Sequence, residues 1–527
     1  MTHNTRFTNA KIWQPAGSSI GSLAIKDNLI ISVFGRSDAG PAARNIDLNR
    51  RLVLPGFIDG HVHLVYGSLM RKRINCSSVS TFDELKDKII RYIKANPDKI
   101  WLVGGNLNIG KVMDDIRSRT DINIKTLLDE IVSGKALFIA NYDYHSGLCN
   151  SMALELSQVM QKLDLYSNDE IPRDSNGNPT GLVKEKAKDF IFYNIPLPTQ
   201  DEIIGAVEEM IGVLHSCGIT SVCDITRKED IEIYVKLFEQ GKLKVRVNSY
   251  VPLSEYQNYQ KYLELTNIIP EELFSIKGFK SYYDGALGSE TALFKSNYKG
   301  KQYNGYKTEI AESGTLLRLA GEIDKAGKQI MIHAIGDKAV SEVLDICDSL
   351  TKENGIRDRR FRIEHAQHID ENDFDRFKEL NVIVSVQPIH LKYDAKIVMD
   401  KLPEETVGRT HNYNNLIKSS VCVNFGTDFP IVDINPYENI RMAATREIDA
   451  SAFYPDNKIP VHGCIKSYTV NGAYSCFSEN RTGSIEKGKY ADLIIMDTDI
   501  LEMPENEIGS AKVWKTYFGG EEIYSSD

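Results

Sequence analysis

The sequence predicts an α/β protein: a (β/α)8 TIM-like barrel with a small β-sandwich domain built from both chain termini. Three observations support this. From about residue 206 apolar strands alternate regularly with helices, which is typical of a parallel sheet covered by helices. Counting the strand that ends at residues 61–63 as the first, about eight such strands can be identified, the number that closes a barrel. Strand patterns also occupy both ends of the chain.

The β-sandwich is predicted from segments that lie far apart in the sequence. Residues 6–13 and a hairpin over 22–33, which turns at Asp27-Asn28, have alternating strand patterns. Residues 483–497 and 511–517 supply a turn and further strands near the other terminus. We therefore expect residues 1–55 and 471–527 to form one composite domain. The barrel is expected over 56–470, with a helical insertion at about 70–215 in which residues 100–105 and 136–141 are strands.

Composition excludes several classes of protein. The 527 residues carry a formal net charge of −10 without a Lys/Arg stripe, which argues against a nucleic-acid partner. No run of about 18 apolar residues exists, so we expect no membrane span. The eight cysteines are scattered without a C-x-x-C pair, and the N-terminus lacks a signal pattern. These features favour a cytoplasmic protein with reduced thiols.

Metal-ligand residue types follow the predicted barrel strands. His61 and His63 lie two apart at the end of the first strand, so their side chains point to one side. The same position after later strands is taken by Lys280, His333, His365 and Asp428. Because the chemistry of such barrels lies at the carboxyl ends of the strands, we expect these side chains to converge. Imidazole and carboxylate groups suit Zn²⁺ or a similar ion, which makes water reactive near neutral pH. Asp428 is then the expected catalytic proton carrier.

Six blocks in order carry a resemblance to a known family. They are residues 55–63, 280–289, 333–340, 362–367, 384–388 and 425–430. Together with residues 483–497 they resemble the amidohydrolase superfamily of metal-dependent hydrolases, in the branch that includes N-substituted formamide deformylase (amidohydrolase family 3). The resemblance covers nearly the whole chain.

The resemblance implies roles for individual residues. It implies a metal site formed by His61, His63, Lys280, His333, His365 and Asp428, holding one or two divalent ions, with Zn²⁺ expected. Lys280 matches a position that relatives can carboxylate, and an ion pair with Asp284 is the alternative. Asp337 is expected to orient the His333 side of the site. The substrate pocket is expected to include Trp101, Asp143, His145 and Gln387. Relatives often have a tryptophan in the block that reads Gly104-Gly105-Asn106 here, so one aromatic wall is expected to be missing.

The resemblance implies a hydrolase that cleaves a C–N bond in a small amide, formamide or cyclic amide. A homodimer is the expected assembly, because it is the commonest one among soluble oligomers. Deamination, ester hydrolysis or metal-assisted isomerisation on the same site are alternatives, since fold does not fix the reaction. A non-catalytic binding protein is a further alternative, but it would be expected to lose some of the ligands that this chain retains.

Overall fold

The computed structural model of this protein describes residues 4–33, 44–142 and 145–526. The chain divides into two compact units, one formed by Met1–Gly67 with Ile204–Asp527 and the other by Ser68–Ile203. Within the described residues, no helix combines the length and the apolar character that crossing a bilayer requires. All eight cysteines are free thiols.

In chain order, the strands are β1 (Asn4–Gln14), β2 (Gly17–Lys26), β3 (Leu29–Val33), β4 (Arg44–Asp47), β5 (Leu52–Pro55), β6 (Phe57–Val62), β7 (Ile74–Asn75), β8 (Trp101–Leu107), β9 (Ala136–Asn141), β10 (Ser146–Cys149), β11 (Leu182–Lys184), β12 (Ile219–Ile225), β13 (Arg246–Pro252), β14 (Phe274–Tyr282), β15 (Gln329–Ala334), β16 (Arg362–His365), β17 (Ile383–Val386), β18 (Val423–Phe425), β19 (Glu447–Ile448), β20 (Ser451–Ala452), β21 (Leu493–Met496), β22 (Val513–Phe518) and β23 (Glu521–Ser525).

The α-helices, in the same order, are α1 (Leu64–Arg71), α2 (Phe82–Ala95), α3 (Ile109–Arg119), α4 (Ile124–Ile131), α5 (Ser151–Leu156), α6 (Glu185–Tyr193), α7 (Gln200–Ser216), α8 (Ile231–Glu239), α9 (Tyr259–Thr266), α10 (Glu309–Glu312), α11 (Thr315–Lys325), α12 (Asp337–Asn354), α13 (Phe374–Glu379), α14 (Leu391–Lys401), α15 (Glu404–Val407), α16 (Tyr413–Lys418), α17 (Pro436–Thr445), α18 (Val461–Tyr468) and α19 (Val470–Ser475). Short 3₁₀ turns include Glu371–Asp373 and Pro388–His390.

The barrel is an eight-stranded parallel sheet in the order β6-β12-β13-β14-β15-β16-β17-β18. Strands β6, β12, β16, β17 and β18 are buried along their whole length, as expected where helices cover one face of a sheet and the barrel interior the other. Just beyond β18, the Asp428 N–H donates to the His61 carbonyl over 2.7 Å, and the His63 N–H donates to the Phe429 carbonyl over 2.8 Å. These bonds join the first and last strands, so the barrel is nearly closed and the predicted fold class is confirmed.

Glycine permits the close approach of the first and last strands. A Cβ on Gly426 would lie 2.5 Å from the His61 backbone nitrogen, and one on Gly60 would lie 1.9 Å from the Asn424 side-chain nitrogen. Real Cβ atoms do not come that close to backbone, so a side chain at Gly426 would push the two strand ends apart.

The two termini form a second sheet in the same unit. Its order is β23-β22-β21-β5-β1-β2-β3, and β4 pairs with β1. The hairpin of β2 and β3 turns at Asp27-Asn28, as predicted. The strands of this terminal β-domain hydrogen-bond as one continuous network. The long, bulged strand β1 connects it, because β1 pairs along its length first with β4 and then with β5.

The unit Ser68–Ile203 contains more sheet than its helical sequence patterns suggested. A five-stranded sheet in the order β11-β10-β9-β8-β7 lies with helices α2 to α6 in this unit. Thr81 caps α2 through a capping box with Glu84, as its sequence pattern indicates. Short strands such as β7 and β11 carry too few residues for a recognisable alternation, so only pairing with β8 and β10 defines them.

Candidate active site

The six residues predicted as metal ligands all lie in the barrel unit, at or just past the ends of their strands. His61 and His63 are at the end of β6, and Asp428 follows β18. Lys280, His333 and His365 lie within the last three residues of β14, β15 and β16, respectively. Parallel strands deliver these side chains to one rim, because their carboxyl ends all point the same way.

Asp428 lies between the two histidines of the H-x-H motif. Its Oδ1 is 3.4 Å from Nε2 of His61 and 3.4 Å from Nε2 of His63. His61, His365 and Asp428 are buried, and each offers one ligand atom such that these atoms all lie within 4.8 Å of one another. Two nitrogens and a carboxylate oxygen at this spacing are suited to a single divalent ion. The structure thus brings together residues from opposite ends of the barrel sequence.

The backbone at the strand ends helps to aim these side chains. His365 has a φ of 72° and Asp428 a φ of 60°, both in the left-handed region that non-glycine residues rarely adopt. The positive φ at His365 interrupts the alternation of side-chain direction along the strand, so the consecutive residues Glu364 and His365 both make contacts within the site. Strain of this kind persists where surrounding contacts impose it, and it is concentrated at functional sites.

Burial keeps His61, His333 and His365 neutral, whereas neighbouring imidazoles keep Asp428 ionised. Burial lowers the pKa of His61 and of His365, and that of His333 to about 3. A neutral imidazole offers the lone pair that a metal needs. For Asp428 burial acts against ionisation, but His61 and His63 outweigh it and hold its pKa below the ordinary range.

His333 is close to the group but turned toward a carbonyl. Its ring centre is 4.5 Å from that of His365, while its Nε2 donates to the Gly285 carbonyl over 3.1 Å and is 3.6 Å from Asp284. With the proton on Nε2, the Nδ1 atom keeps the lone pair available for a ligand bond.

Lys280 is buried, and its Nζ has no hydrogen-bond partner among the residues that the structure describes. The ammonium is 4.8 Å from the centre of the Tyr282 ring, and burial lowers its pKa to about 8. The alternative of an ion pair with Asp284 is wrong, because Nζ has no hydrogen-bond partner among the described residues. The Asp284 carboxylate instead accepts the backbone N–H groups of Leu293, Ile335 and Gly336 at 2.8–3.0 Å. The amine of Lys280 is thus available to react or to bind a ligand.

Two charged residues of β16 support the site and were not predicted. Glu364 Oε2 is 2.5 Å from His61 Nδ1, and both residues are buried. Arg362, fully buried, donates to Glu364, to Ser385 and to the carbonyl of Gly60. Burial opposes ionisation of Glu364, but Arg362 and His61 bring its pKa down to about 2. A signal was present in the sequence: two charges, two residues apart, in a strand otherwise apolar enough to be buried.

Gln387 contacts a predicted ligand in this structure. Its side-chain oxygen is 2.7 Å from Nδ1 of His365, and its Nε2 has no partner among the described residues. If His365 donates from Nδ1, then Nε2 carries the lone pair. Gln387 therefore orients His365, and it keeps an amide N–H₂ group available for a ligand.

Asp337 does not orient His333, contrary to the prediction. It begins helix α12, accepts the Lys295 backbone N–H over 2.8 Å and pairs with Arg409. Asp284 is the carboxylate near His333. Sequence spacing suggested Asp337 because it follows His333 by four, but the chain turns into a new helix between them.

The other predicted pocket residues belong to the unit Ser68–Ile203. Trp101, at the start of β8, packs against a hydrophobic cluster of that unit. His145 is exposed, with its Nδ1 3.3 Å from Glu185. Asp143 lies outside the described residues.

The residues at the barrel rim fit a divalent ion. The set contains neutral imidazoles, an ionised carboxylate and a buried amine without a hydrogen-bond partner among the described residues. His61 is held by Glu364, as metal-binding histidines commonly are held by a carboxylate. Nitrogen and oxygen donors of this kind are those that Zn²⁺ takes.

Comparisons with known proteins agree with this picture. The chain is 30% identical to the protein LONG AFTER FAR-RED 3 of Arabidopsis thaliana over 522 residues, which cover 95% of this chain and 88% of that one. It is 24% identical to N-substituted formamide deformylase of Arthrobacter pascens, over 92% of this chain and 90% of the enzyme. An uncharacterized metal-dependent hydrolase from Pyrococcus horikoshii has the same fold, with a TM-score of 0.75 at 24% identity over 95% of this chain and 99% of that one. Residues 44–524 match the amidohydrolase family, and the chain belongs to this family of metal-dependent hydrolases.

Proposed function

We propose that this protein hydrolyses a C–N bond in a small amide, formamide or cyclic amide, with Asp428 as the general acid and base. The observation that carries the proposal is the position of Asp428, 3.4 Å from both His61 and His63 at the barrel rim. Family membership supports a hydrolase, and the similarity to a formamide deformylase favours the C–N bond.

We assign His61, His63, Lys280, His333, His365 and Asp428 as the residues that hold one or two divalent ions, with Zn²⁺ as the expected metal. Such an ion, when bound, lowers the pKa of water and polarises a carbonyl group. Carboxylation of Lys280 is part of the proposal. It is supported by the buried Nζ, which has no hydrogen-bond partner among the described residues and whose lowered pKa increases the fraction of neutral amine able to react with CO₂.

Asp428 has the features that proton transfer requires. It is ionised, it lies beside two imidazoles, and its carboxylate can accept a proton from water and deliver it to the departing nitrogen. Glu364 and Gln387 hold the rings of His61 and His365 while this happens. The role of these two residues is to keep the lone pairs of both imidazoles directed at the same point.

We further propose that Trp101, Asp143, His145 and Gln387 contact the substrate, and that the domains follow the sequence boundaries 1–55 with 471–527 and 56–470. The homodimer and the cytoplasmic location also stand as proposals. The free thiols are in line with the cytoplasmic location.

A panel of compounds tests the activity. Metal-loaded protein is incubated with N-substituted formamides, simple amides and cyclic amides, together with esters and aminopurines, and the products are identified by mass spectrometry. We expect release of an amine from a member of the first three classes. Turnover confined to esters, or loss of ammonia from an aminopurine, would contradict the proposed reaction.

The role of Asp428 is tested with Asp428→Asn. We expect kcat to fall by a factor of about 10³ or more while the metal content stays near that of the parent, because proton transfer is lost and most ligands remain. Asp375→Asn, a change at an exposed carboxylate of α13, is the matched control and keeps parental activity. Unchanged turnover of Asp428→Asn would overturn the assignment.

A further inference from the structure

A second group of histidines lies in the barrel unit, where the loops after β16 and β17 meet. His368 forms an isolated β-bridge with Thr410, and the His411 N–H donates to the Gln367 carbonyl over 2.7 Å. These contacts join two loop segments that are distant in the sequence. Both histidine side chains are buried, with exposed fractions of 0% for His368 and 1% for His411.

Helix α14 and the 3₁₀ turn before it supply two more side chains of the same type. His390 ends the turn Pro388–His390, and Asp394 lies four residues later in the first turn of α14. Residues four apart on a helical path lie on one face, so both side chains are presented together. His390 is buried, and its ring is stacked on that of His365 at a centroid distance of 6.4 Å. The group is therefore close to the candidate active site but shares none of the ligands assigned there.

Three polar atoms of this group are buried and have no hydrogen-bond partner among the described residues, namely Nε2 of His368, Nε2 of His390 and Nδ1 of His411. Two more buried atoms, Nε2 of His411 and Oδ2 of Asp394, are 3.4 Å from each other. Leaving one such atom unsatisfied costs about 1–3 kcal/mol, so several at one place indicate that something binds there. The atoms are out of contact with solvent, which favours a small ion over a bulky ligand.

One distance in the group resembles the spacing of two ligands on one ion. His411 Nε2 is 3.4 Å from Asp394 Oδ2. The same separation is found between His61 Nε2 and Asp428 Oδ1 at the barrel rim. Two ligands about 2.0–2.1 Å from a tetrahedral Zn²⁺ are themselves roughly 3.4 Å apart.

The charges of the group also suit a cation. Burial lowers the pKa of His368 to about 3 and lowers that of His411, so both rings are neutral donors. For Asp394 burial acts against ionisation, but His411 outweighs it and holds the pKa low. Arg446, a buried cation beside this group, donates to the carbonyl oxygens of Thr410, His411 and Phe453 rather than to the Asp394 carboxylate.

We propose that His411 and Asp394, together with His368 and His390, bind a second-site divalent ion of the zinc class. The four side chains come from two loops and one helix, so an ion bound to them ties the loops after β16 and β17 together. Closing the site requires His368 and His390 to turn toward the pair that is already at ligand spacing. Because none of the six residues assigned to the active site is involved, the proposal is independent of the proposed reaction.

Metal counting tests the proposal. The full-length protein is purified, stripped with a chelator, loaded with Zn²⁺, dialysed and measured by mass spectrometry of the metal. We expect Asp394→Asn and His411→Gln each to hold one equivalent less than the parent. His462→Gln, a change at a histidine beside Trp13 near the terminal sheet, is the matched control and keeps the parental content. Parental metal content in both site variants would overturn the proposal.

A diffraction experiment covers the case in which the variants fold poorly. Crystals of the unaltered protein grown with Zn²⁺ are measured above and below the zinc absorption edge. We expect an anomalous peak about 2.0–2.2 Å from His411 Nε2 and from an oxygen of Asp394. A water molecule or no density at that position would overturn the second site, whereas absence of a peak between His61 and Asp428 would count against the proposed function instead.

Discussion

Glu364 and His61 form a buried pair, with Glu364 Oε2 2.5 Å from His61 Nδ1 and Arg362 on the other side of the carboxylate. The carboxylate sets which nitrogen of His61 carries the proton. Nε2, the atom that faces Asp428, is thereby left with its lone pair. This arrangement explains why a strand of the barrel interior holds two full charges.

Glu364→Gln should weaken metal binding without removing a ligand. An amide can still contact the ring, but it does not provide the negative charge that makes the imidazole more basic, so we expect zinc affinity to fall about 10- to 100-fold. The measurement is competition against a chelator of known affinity. Glu379→Gln, at an exposed position of α13, should keep the parental affinity. A zinc affinity of Glu364→Gln equal to that of the parent would show that the negative charge of Glu364 does not contribute to metal binding.

Lys280→Met should stabilise the metal-free protein at neutral pH. The folded state lowers the pKa of Lys280 from 10.5 to about 8, so the unfolded chain binds the proton more tightly. Below about pH 8 the lowered pKa reduces the parent's free energy of unfolding by about 3 kcal/mol. This cost decreases as the pH rises from about 8 to about 10.5. Methionine removes this cost. The gain in the free energy of unfolding of Lys280→Met over the parent should therefore be largest below about pH 8 and disappear near pH 10.5.

Urea unfolding at several pH values measures this difference. Lys277→Met, three residues earlier on the same strand and only half-buried, is the control and should show a much smaller gain. A gain for Lys280→Met that is independent of pH would mean that apolar packing, rather than the buried amine, is responsible.

Gly426→Ala should disturb both stability and the site. The added methyl would lie 2.5 Å from the His61 backbone nitrogen and 3.0 Å from Asp59 Oδ1, and backbone must move to accommodate it. We expect a loss of about 1–3 kcal/mol in the free energy of unfolding, together with weaker zinc binding. Gly321→Ala in helix α11, where nothing lies within 4 Å, should instead gain about 0.5–1 kcal/mol. Similar changes in the free energy of unfolding for Gly426→Ala and Gly321→Ala would contradict the close packing of the strand ends.

Zinc should stabilise the parent through the rim histidines. Binding to the folded state alone contributes about 2.7 kcal/mol when free ion exceeds the dissociation constant a hundredfold. We expect a higher melting temperature on adding Zn²⁺ to the stripped protein. The increase should be reduced in a His61→Asn and His365→Asn double variant, and kept in His462→Gln. A full increase in the double variant would place the stabilising ion elsewhere.

Much of the barrel follows from local sequence. Strands such as β12 and β15 combine β-branched residues with flanking turns, and helix α12 has apolar residues at helical spacing, so each is recognisable by itself. The histidines and Asp428 were found for the same reason, since each directly ends a recognisable strand. The partners of Glu364 and Asp284 could not be predicted in this way, because Glu364 contacts His61 of another strand and Asp284 accepts backbone N–H groups from distant segments.

By itself the sequence determined the barrel, the joining of both termini, and the residue types at the strand ends, because periodicity and chain order are local properties. Only the tertiary structure decided that Asp428 lies between His61 and His63, that Lys280 has no carboxylate partner among the described residues, and that His411 meets Asp394. The reason is physical: hydrogen-bond partners and the pKa of a buried group depend on which distant segments surround it, and strand closure and loop pairing set those neighbours.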